Sequence, residues 1–491
     1  MSKTLIFSRV GSLLLLNSLA LGITAVVDFS SAQYFAYPAL VSFFIGVLLV
    51  YGLKLYSKNH NVPTEVHTKT AFGIVALGWV IIPIIGMLPY IFYGTSVPNA
   101  IFESFSGFTT TGSTVFPNTE LLPRGILFWR AFTHFIGGAG VITLLLAVSP
   151  NLSADTVRIV NVESTGVPSD KFLPKTSHIP KVLYGVYLSL TVLLFGLFSL
   201  GGMGVFDAVT HAFSIAGTGG FSTKNNSFGY FTDNSVYLQI VAAVFMLLFS
   251  VNLSLFFIIV IKRRIKAAFA SEELRLFLIA AAAITLIITA ANYFGDVYDN
   301  IFESLLGSFF QVSSSMSTTG LSVGNFAVWG AFTNIILMFA MFCGGMSGST
   351  AGGFKFGRLL LLIKTARREV YRQMYPNSVK VIQSDGKSVD DKLISKICAF
   401  FFLYVLIAAI GILSLAAAET ITRNTIDFEG AFYAVFAMIS NSGIAANGDL
   451  AIGDFSDFCP FSKILLAFIM FIGRLEIYPA IMIISPGFWK K

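Results

Sequence analysis

Four short glycine-centred turns recur along the chain, and they limit the possible folds more than any other feature. The steps between their glycines are 107, 101 and 123 residues, so a whole structural unit separates each pair. The turns are Thr110-Thr111-Gly112, Gly217-Thr218-Gly219, Thr318-Thr319-Gly320 and Asn441-Ser442-Gly443. Self-similarity at a nearly fixed period is typical of repeat architectures. A single turn of this kind would be an ordinary surface loop, but four in matching context predict four units around one axis.

Ten apolar segments of helix length surround these turns. Of the 491 residues, 55% are hydrophobic and 12% are charged, whereas a soluble domain carries roughly 25% charged residues. The segments are Val10–Val27, Phe35–Tyr56, Thr70–Tyr93, Ile126–Val148, Val182–Gly202, Ser235–Ile261, Leu274–Tyr293, Gly330–Ile363, Leu393–Ala417 and Ser462–Ile484. Each meets or nearly meets the roughly 20 residues that a helix needs to cross a bilayer. The first has the basic start of a signal peptide but no small-residue cleavage site, so we interpret it as retained.

Between the paired spans of each unit lies a helical segment that is too short to cross. These segments are Asn99–Phe108, Phe206–Ala216, Phe302–Met316 and Glu429–Ile439. Each leads directly into a turn, so the chain must enter the membrane and return, which is tolerated only where protein or a water-filled cavity satisfies the backbone. Their C-terminal ends carry partial negative charge, and the central glycines can turn backbone carbonyls inward. The pattern predicts a pore in which oxygen atoms surround a dehydrated cation.

The predicted fold is an all-α polytopic membrane protein. Residues 1–69 form two N-terminal transmembrane helices, and four helix–half-helix–helix pore repeats follow at residues 70–150, 151–265, 266–390 and 391–491. Of the 32 Lys and Arg residues, 24 lie at the termini or in the loops on the same side, while the opposite loops carry three. Because cytoplasmic loops are enriched in Lys and Arg, both termini are expected in the cytoplasm and all four turns on the outer side.

Five stretches of the chain resemble the Trk/Ktr/HKT superfamily of potassium transporters. They are the residues Gly107–Ser113, Ala216–Thr223, Ser317–Ser322, Phe128–Gly138 and Gly473–Ile477. The last stretch and the two extra N-terminal spans are similar to the bacterial TrkH/TrkG branch of that superfamily. The resemblance extends from the third span to the end of the chain.

This resemblance implies uptake of K⁺ through a pseudo-fourfold pore in the inner membrane of a bacterium, with K⁺ as the transported ion and no organic cofactor on this chain. It implies that the residues of the four turns hold K⁺, and that a glycine in every turn goes with a preference for K⁺ over Na⁺. A homodimer and a cytosolic nucleotide-binding regulatory ring of the TrkA type are also implied. The fourth turn departs most from the family pattern, with Asn441 at its first position.

The eighth span is interrupted by a run of small residues at 344–353. Five glycines and three hydroxyl residues fall there, and each glycine costs a helix roughly 1 kcal/mol. No other predicted span is interrupted in this way, and the resemblance implies an intramembrane loop that gates the pore. The candidate gate residues are Gly344, Gly345, Ser347, Gly348, Ser349, Thr350, Gly352 and Gly353. A glycine-rich packing seam is the alternative, whereas a phosphate-binding loop is disfavoured because no strand precedes Lys355 and no Ser or Thr follows it.

Arg474 lies in the middle of the last span. A charge at that depth costs about 2.5–3.5 kcal/mol, so it is expected to face the bundle interior. Our hypothesis is that Arg474 holds the gate closed, either as an electrostatic barrier or by hydrogen bonds to the 344–353 loop. The alternative is a structural ion pair with Glu476 or another helix.

The remaining polar features have less specific interpretations. Four acidic residues near the outer mouth either concentrate cations or cap helices: Glu103, Asp207, Glu303 and Glu429. His134 and His211 are interpreted as packing residues. The basic clusters at 262–264 and 364–368 suit anionic lipid and helix C-termini, or they dock a regulatory subunit. Because the basic residues lie in the loops of one side, membrane lipid is the expected partner and nucleic acid is not.

A transporter is favoured over an enzyme, because no catalytic motif or metal-ligand spacing of the cysteines is present. The rival interpretation is an H⁺- or Na⁺-coupled cation symporter, since such proteins often contain repeats and broken helices. Many of those proteins invert their repeats, whereas the four repeats here share one orientation. A voltage-driven, channel-like pore is therefore the predicted function.

Overall fold

The computed structural model describes residues 3–30, 36–58, 68–138, 140, 179–232, 235–260, 263–324, 326–422, 426–443, 454–475 and 477–489. Within these residues, six helices are long and apolar enough to cross a membrane, and they match the first, second, third, fifth, seventh and ninth predicted spans. A bent helix pair at the sixth span makes a seventh. The fourth span is described only as far as Gly140, and its predicted end at Val148 lies outside the described residues. Ten spans remain a prediction.

The two N-terminal helices, Lys3–Ser30 and Ala36–Lys58, pack against each other and against the first repeat. They approach closely, because a Cβ atom on Gly46 would lie 2.2 Å from the hydroxyl oxygen of Ser18. That hydroxyl donates to the carbonyl of Leu14 at 2.8 Å. Bonds to the preceding turn satisfy such hydroxyls without leaving the helix, so polar residues are tolerated in this apolar pair.

Each repeat contains a first helix, a half-helix and an inner helix. In repeat one these are Thr68–Gly86 with Leu88–Phe92, Val97–Phe108 and Arg124–Gly138. In repeat two they are Ile179–Leu200, Val205–Ala216 and the pair Val236–Ser250 and Leu253–Val260. In repeat three they are Glu272–Phe294, Ile301–Met316 and the pair Gly330–Cys343 and Phe356–Met374. In repeat four they are Asp391–Ile421, Phe428–Ser440 and the pair Pro460–Leu475 and Ile477–Ile484.

Short elements connect these helices in the described residues. They are the helices Gly229–Thr232, Ile265–Phe269 and Pro486–Trp489, the 3₁₀ turns Thr119–Leu121 and Phe326–Trp329, and the strands Gln383–Ser384 and Lys387–Ser388. The two strands pair antiparallel, with Gln383 opposite Ser388.

The repeats close into a ring through their half-helices. Each half-helix packs against the inner helix of its own repeat and against the inner helix of the preceding repeat, and the half-helix of repeat one packs against the inner helix of repeat four. Glycines allow the close approach at two of these contacts. A Cβ atom on Gly137 would lie 2.0 Å from the carbonyl oxygen of Phe108, and one on Gly473 would lie 2.3 Å from that of Ile439. Small residues at helix interfaces permit such backbone contact within a membrane.

Among the described residues, the inner helices of repeats two and three are broken, whereas the sequence indicated a break only in the inner helix of repeat three. The inner helix of repeat two bends by 99° between Ser250 and Leu253, so the prediction of a continuous sixth span was wrong. The inner helix of repeat three ends at Cys343, and the chain continues as a loop over residues 344–355 before Phe356 begins the next helix. The predicted interruption of the eighth span is confirmed, and its second helix extends to Met374, beyond the predicted end at Ile363.

Candidate cation filter and gate

All four half-helices end in the same left-handed turn. The first turn residue has a φ of 54–56° in every repeat, and these residues are Thr110, Thr218, Thr318 and Asn441. The amide of the next residue donates to the carbonyl five residues earlier, with N–O distances of 2.8–2.9 Å in all four repeats. This is the Schellman arrangement, which usually has glycine at the left-handed position. Left-handed geometry costs an L-residue roughly 1–2 kcal/mol, and strain of this kind clusters at functional sites.

The third residue of each turn is a glycine, and in turns one, two and four it lies against the backbone of another turn. These glycines are Gly112, Gly220, Gly320 and Gly443, with φ of 84°, 86°, 86° and 65°. A Cβ atom on Gly112, Gly220 or Gly443 would lie 1.8–2.1 Å from the carbonyl oxygen of the second residue of another turn. These contacts run from turn one to two, from two to three and from four to one. The turns therefore pack side by side around a common centre, with room for backbone only.

The second turn lies one residue later than the sequence indicated. Thr218-Gly219-Gly220 has the φ angles and hydrogen bonds of the other three turns, and Gly217 instead ends the half-helix. Matching glycines alone could not fix this alignment, because three of the four residues at 217–220 are glycine. The predicted triplet Gly217-Thr218-Gly219 is corrected accordingly, while the other three predicted triplets keep their positions.

Hydroxyl residues flank the left-handed residue in turns one, three and four, and in turns one and three the two hydroxyls bond each other. Thr109 and Thr111 bring their hydroxyl oxygens to 2.8 Å of each other in turn one, and Ser317 and Thr319 bring theirs to 2.6 Å in turn three. In turn four, the side-chain amide of Asn441 donates to the Thr111 hydroxyl at 3.1 Å and to an inner-helix carbonyl at 2.9 Å. The residue that departs from the family pattern therefore links the fourth turn to the first.

The 344–353 loop packs directly on two of the turns. The amide of Gly352 donates to the hydroxyl of Thr318 at 2.7 Å, and the amide of Gly353 donates to the carbonyl of Ser440 at 2.9 Å. A Cβ atom on Gly352 would lie 2.1 Å from that same Ser440 oxygen. Two of the predicted gate residues, Gly352 and Gly353, are thus hydrogen-bonded to the third turn and to the end of the fourth half-helix.

The loop also fills the break in the inner helix of repeat two. The amide and hydroxyl of Thr350 both donate to the carbonyl of Phe249, at 3.3 and 3.0 Å. Leu253, the first residue after the break, donates its amide to the carbonyl of Gly348 at 3.2 Å. The backbone groups exposed by the break are therefore satisfied by the loop.

The other predicted gate residues shape the loop itself. Gly344, with a φ of 67°, ends the helix, and a Cβ atom on Gly345 would lie 2.6 Å from that of Ala351. Ser347 donates its amide to the carboxylate of Glu273 at 2.7 Å, and the hydroxyl of Ser349 donates to a loop carbonyl at 2.6 Å. A helix, rather than a strand, precedes this segment, which agrees with the rejection of a phosphate-binding loop.

Arg474 joins the loop to the first repeat. Its guanidinium donates to the carbonyl of Thr350 at 2.7 Å, and to the carbonyls of Gly137 and Gly138 at 2.7 and 2.9 Å. The residue is 7% exposed. These bonds agree with the hypothesis that Arg474 bonds the loop, while Glu476, the proposed ion-pair partner, lies outside the described residues.

A buried ion pair supports the first two turns, and sequence reasoning missed it. Glu103 accepts from Arg130 at 2.6 Å, and both side chains are almost fully buried. The same carboxylate accepts from the Thr114 hydroxyl at 3.1 Å and from the Val115 amide at 3.0 Å. The Arg130 guanidinium lies 4.1 Å from the ring centre of Phe221, just after the second turn. Glu103 therefore faces protein rather than the outer mouth. The signal for this pair in the sequence was Arg130, a charged residue inside an apolar span that requires a partner.

Oxygen atoms dominate this site. Among the residues that the structure describes, no group of three or more His, Cys, Asp and Glu side chains could hold a metal ion. Backbone carbonyls and hydroxyls are the groups that replace the hydration shell of a monovalent cation in selectivity filters. The described turns offer oxygen atoms of this kind from their backbone carbonyls and from their Thr and Ser hydroxyls.

Comparison with known proteins gives one consistent result. Residues 37–491 match the family model described as TrkH, cation transport protein. The chain is 32% identical over 449 residues to the Trk system potassium uptake protein TrkH of Salmonella typhimurium, with 91% of each chain covered. It is 31% identical to the protein of that name from Halomonas elongata, with 100% of each covered. The crystal structure of the potassium transporter TrkH from Vibrio parahaemolyticus matches all of both chains with a TM-score of 0.88 and 31% identity.

Proposed function

The chain belongs to the TrkH family of cation transport proteins, and on that basis we propose that it carries K⁺ into a bacterial cell through a gated, K⁺-selective, channel-like pore. The observation that carries this proposal is the set of four equivalent turns, three of which place their third-position glycine against the second-residue carbonyl of another turn. The four left-handed turns meet through their backbones, so the distances between their carbonyl oxygens are fixed by backbone packing rather than by flexible side chains. The names of the relatives support K⁺ as the transported ion.

The driving force in this proposal is the membrane potential. Moving one charge through 100 mV supplies about 2.3 kcal/mol, so an inside-negative membrane concentrates K⁺ without a coupling ion. The Lys and Arg distribution supports both termini in the cytoplasm, with the protein in the bacterial inner membrane. Cations then meet the turns from outside before they reach the 344–353 loop.

We assign the gate to that loop and to Arg474. Three observations support the assignment. The loop interrupts a membrane helix, its Gly352 amide donates to the third turn, and its Thr350 carbonyl accepts a hydrogen bond from the buried guanidinium of Arg474. Glycines with positive φ at 344, 348 and 353 give the loop backbone freedom that a helix lacks. A gate requires a segment with two packed arrangements, and in this proposal the glycines supply the backbone freedom for the second one.

The proposal includes a homodimer and a cytosolic nucleotide-binding ring of the TrkA type as regulator. The name "Trk system" on the relatives supports a protein that works with further components. Basic side chains at 263–264, between the helices of repeats two and three, and at 364–368, in the last helix of repeat three, suit such a contact, although some of them bond residues of this chain. Lys364 bonds Glu272, and Arg368 bonds Asp391 at 2.7 Å. Arg263, Arg264 and Arg367 are the better candidates for docking.

The test is cation flux into liposomes that carry the purified full-length protein. Uptake of K⁺, Rb⁺ and Na⁺ is compared under an imposed voltage, with no pH or Na⁺ gradient. Flux of K⁺ and Rb⁺ well above Na⁺, driven by voltage alone, supports the channel-like pore. Flux that appears only with a proton or sodium gradient would identify a coupled symporter, in which the two broken inner helices form part of an alternating-access site.

A pair of glycine variants makes this test specific to the turns. Gly112 and Gly386 both have a positive φ, of 84° and 73°. A Cβ atom on Gly112 meets a carbonyl of the second turn at 1.8 Å, whereas nothing lies within 4 Å of one on Gly386. Gly112→Ala is therefore expected to abolish selective flux, and Gly386→Ala, which carries the backbone strain alone, is expected to retain it.

A further inference from the structure

The second turn lacks the hydroxyl pair of turns one and three. In those turns the residues before and after the left-handed threonine are Thr109 and Thr111, or Ser317 and Thr319, and their hydroxyls bond each other. In the second turn both positions are glycine, at 217 and 219. The two missing side chains leave a space beside the backbone of the turn.

His134 of the preceding repeat fills that space. A Cβ atom on Gly219 would lie 2.1 Å from Nδ1 and 2.2 Å from Cγ of the imidazole, and one on Gly217 would lie 2.2 Å from the His134 carbonyl oxygen. The ring stacks on Phe221 at 4.3 Å between ring centres, with 13° between the planes. Its Nδ1 lies 3.4 Å from the hydroxyl of Ser214. The side chain is fully buried.

We propose that His134 is a positioning residue of the second turn, where its imidazole replaces the hydroxyl pair and sets the carbonyl of Gly219 for selection of K⁺ over Na⁺. The proposal rests on the function proposed above and adds a residue from a different repeat to the filter. It also explains why glycine occurs at both 217 and 219, since any side chain at 219 would overlap the ring.

The carbonyl that His134 supports is shared with the first turn. A Cβ atom on Gly112 would lie 1.8 Å from the oxygen of Gly219, so a displacement of the second turn changes the spacing between turns one and two. Packed interiors transmit such displacements because they contain few voids. Loss of the ring is therefore expected to affect ion discrimination more than protein yield.

A rescue experiment tests this contact. Gly219→Ala places a methyl group into the imidazole, and His134→Ala removes the ring. Gly219→Ala is expected to lower the K⁺ to Na⁺ uptake ratio about tenfold. Overpacking a well-packed site has a cost of the same order as the roughly 1.4 kcal/mol that a tenfold change represents. His134→Ala combined with Gly219→Ala is expected to recover most of that ratio, while His134→Ala alone lowers the ratio by several-fold because the turn loses its support.

The matched control is the next glycine. A Cβ atom on Gly220 would meet the backbone carbonyl of Thr319 at 2.0 Å rather than the ring, so His134→Ala should not rescue Gly220→Ala. The contact is refuted if the double variant at 134 and 219 is as defective as Gly219→Ala. A wild-type ratio in His134→Ala would overturn the positioning role.

A second readout separates this proposal from the proposed function. Thermal unfolding of the purified variants reports the contact without transport, and the double variant should unfold at a higher temperature than Gly219→Ala. If the wild-type protein shows no K⁺ preference in liposomes, the proposed function fails, yet rescue in the unfolding assay still identifies the contact. If the wild type selects K⁺ and neither readout shows rescue, only the His134 proposal fails.

Discussion

Arg474→Ala should raise the flux of the protein in the absence of any regulator. Among the described residues, the guanidinium bonds the carbonyl of Thr350 in the 344–353 loop and those of Gly137 and Gly138 outside it. The bonds to Gly137 and Gly138 join two inner helices; if the loop moves but these two helices do not when the gate opens, both states keep these bonds and their loss cancels from the gating equilibrium. The bond to Thr350 therefore determines the change in open probability.

The expected size follows from that single bond. A hydrogen bond to a charged group contributes about 1.5–3 kcal/mol, which corresponds to a roughly 10- to 150-fold shift in the ratio of open to closed protein. The assay is initial uptake of Rb⁺ into liposomes under a fixed voltage, normalised to inserted protein. An increase below about twofold, at equal insertion, would refute the gating role because one charged bond predicts more.

Arg474→Lys distinguishes the two versions of the hypothesis. Lysine keeps the positive charge but lacks the planar fork that reaches several carbonyls together. An electrostatic barrier would leave Arg474→Lys closed like the wild type, whereas a latch made of hydrogen bonds would leave it partly open. Glu273→Gln weakens another loop contact, the bond from the Ser347 amide at 2.7 Å, and serves as a comparison that leaves the guanidinium in place.

Two further predictions concern the supports of the turns. Glu103→Gln leaves Arg130 buried without its carboxylate, and removing one partner of a buried pair costs about 3–5 kcal/mol. Thermal unfolding of this variant should therefore occur well below the wild-type temperature, and an unchanged midpoint would show that the pair contributes little. Thr318→Val removes the acceptor of the Gly352 amide while keeping the β-branched shape, so Rb⁺ uptake without regulator should rise with the K⁺ to Na⁺ ratio nearly unchanged. A fall in that ratio with no rise in uptake would assign the bond to selectivity instead.

The half-helices could be predicted from the sequence to within two residues. Each is a short apolar segment between two spans, and it ends in a glycine-rich turn, so local pattern and turn chemistry agree. The first half-helix, predicted at Asn99–Phe108, is Val97–Phe108 in the structure, and the fourth, predicted at Glu429–Ile439, is Phe428–Ser440. Local signals were sufficient here because the hydrogen bonds that end these helices are themselves local.

Long-range contacts account for what the sequence could not predict. The second turn packs against His134, which lies 85 residues before Gly219, and a histidine in an apolar helix gives no sign of that partner. The pairing of Glu103 with Arg130 likewise depends on how a half-helix meets an inner helix. The glycine at 219 indicates from the sequence that something approaches the backbone closely, but it does not indicate which residue does so.

The two broken inner helices explain each other. Neither glycine nor proline lies at the bend between Ser250 and Leu253, and the local signal there is Asn252, whose side-chain oxygen accepts the Ser254 amide at 2.9 Å as an N-cap does. The 344–353 loop completes the break, because it bonds the carbonyls of Phe249 and Ser250, and its Gly348 carbonyl accepts the Leu253 amide. A break within a membrane is tolerated where protein satisfies the freed groups, and here one interruption satisfies the other. It follows that movement of the loop would leave the repeat-two bend with unpaired backbone groups, so opening of the proposed gate must involve both inner helices together.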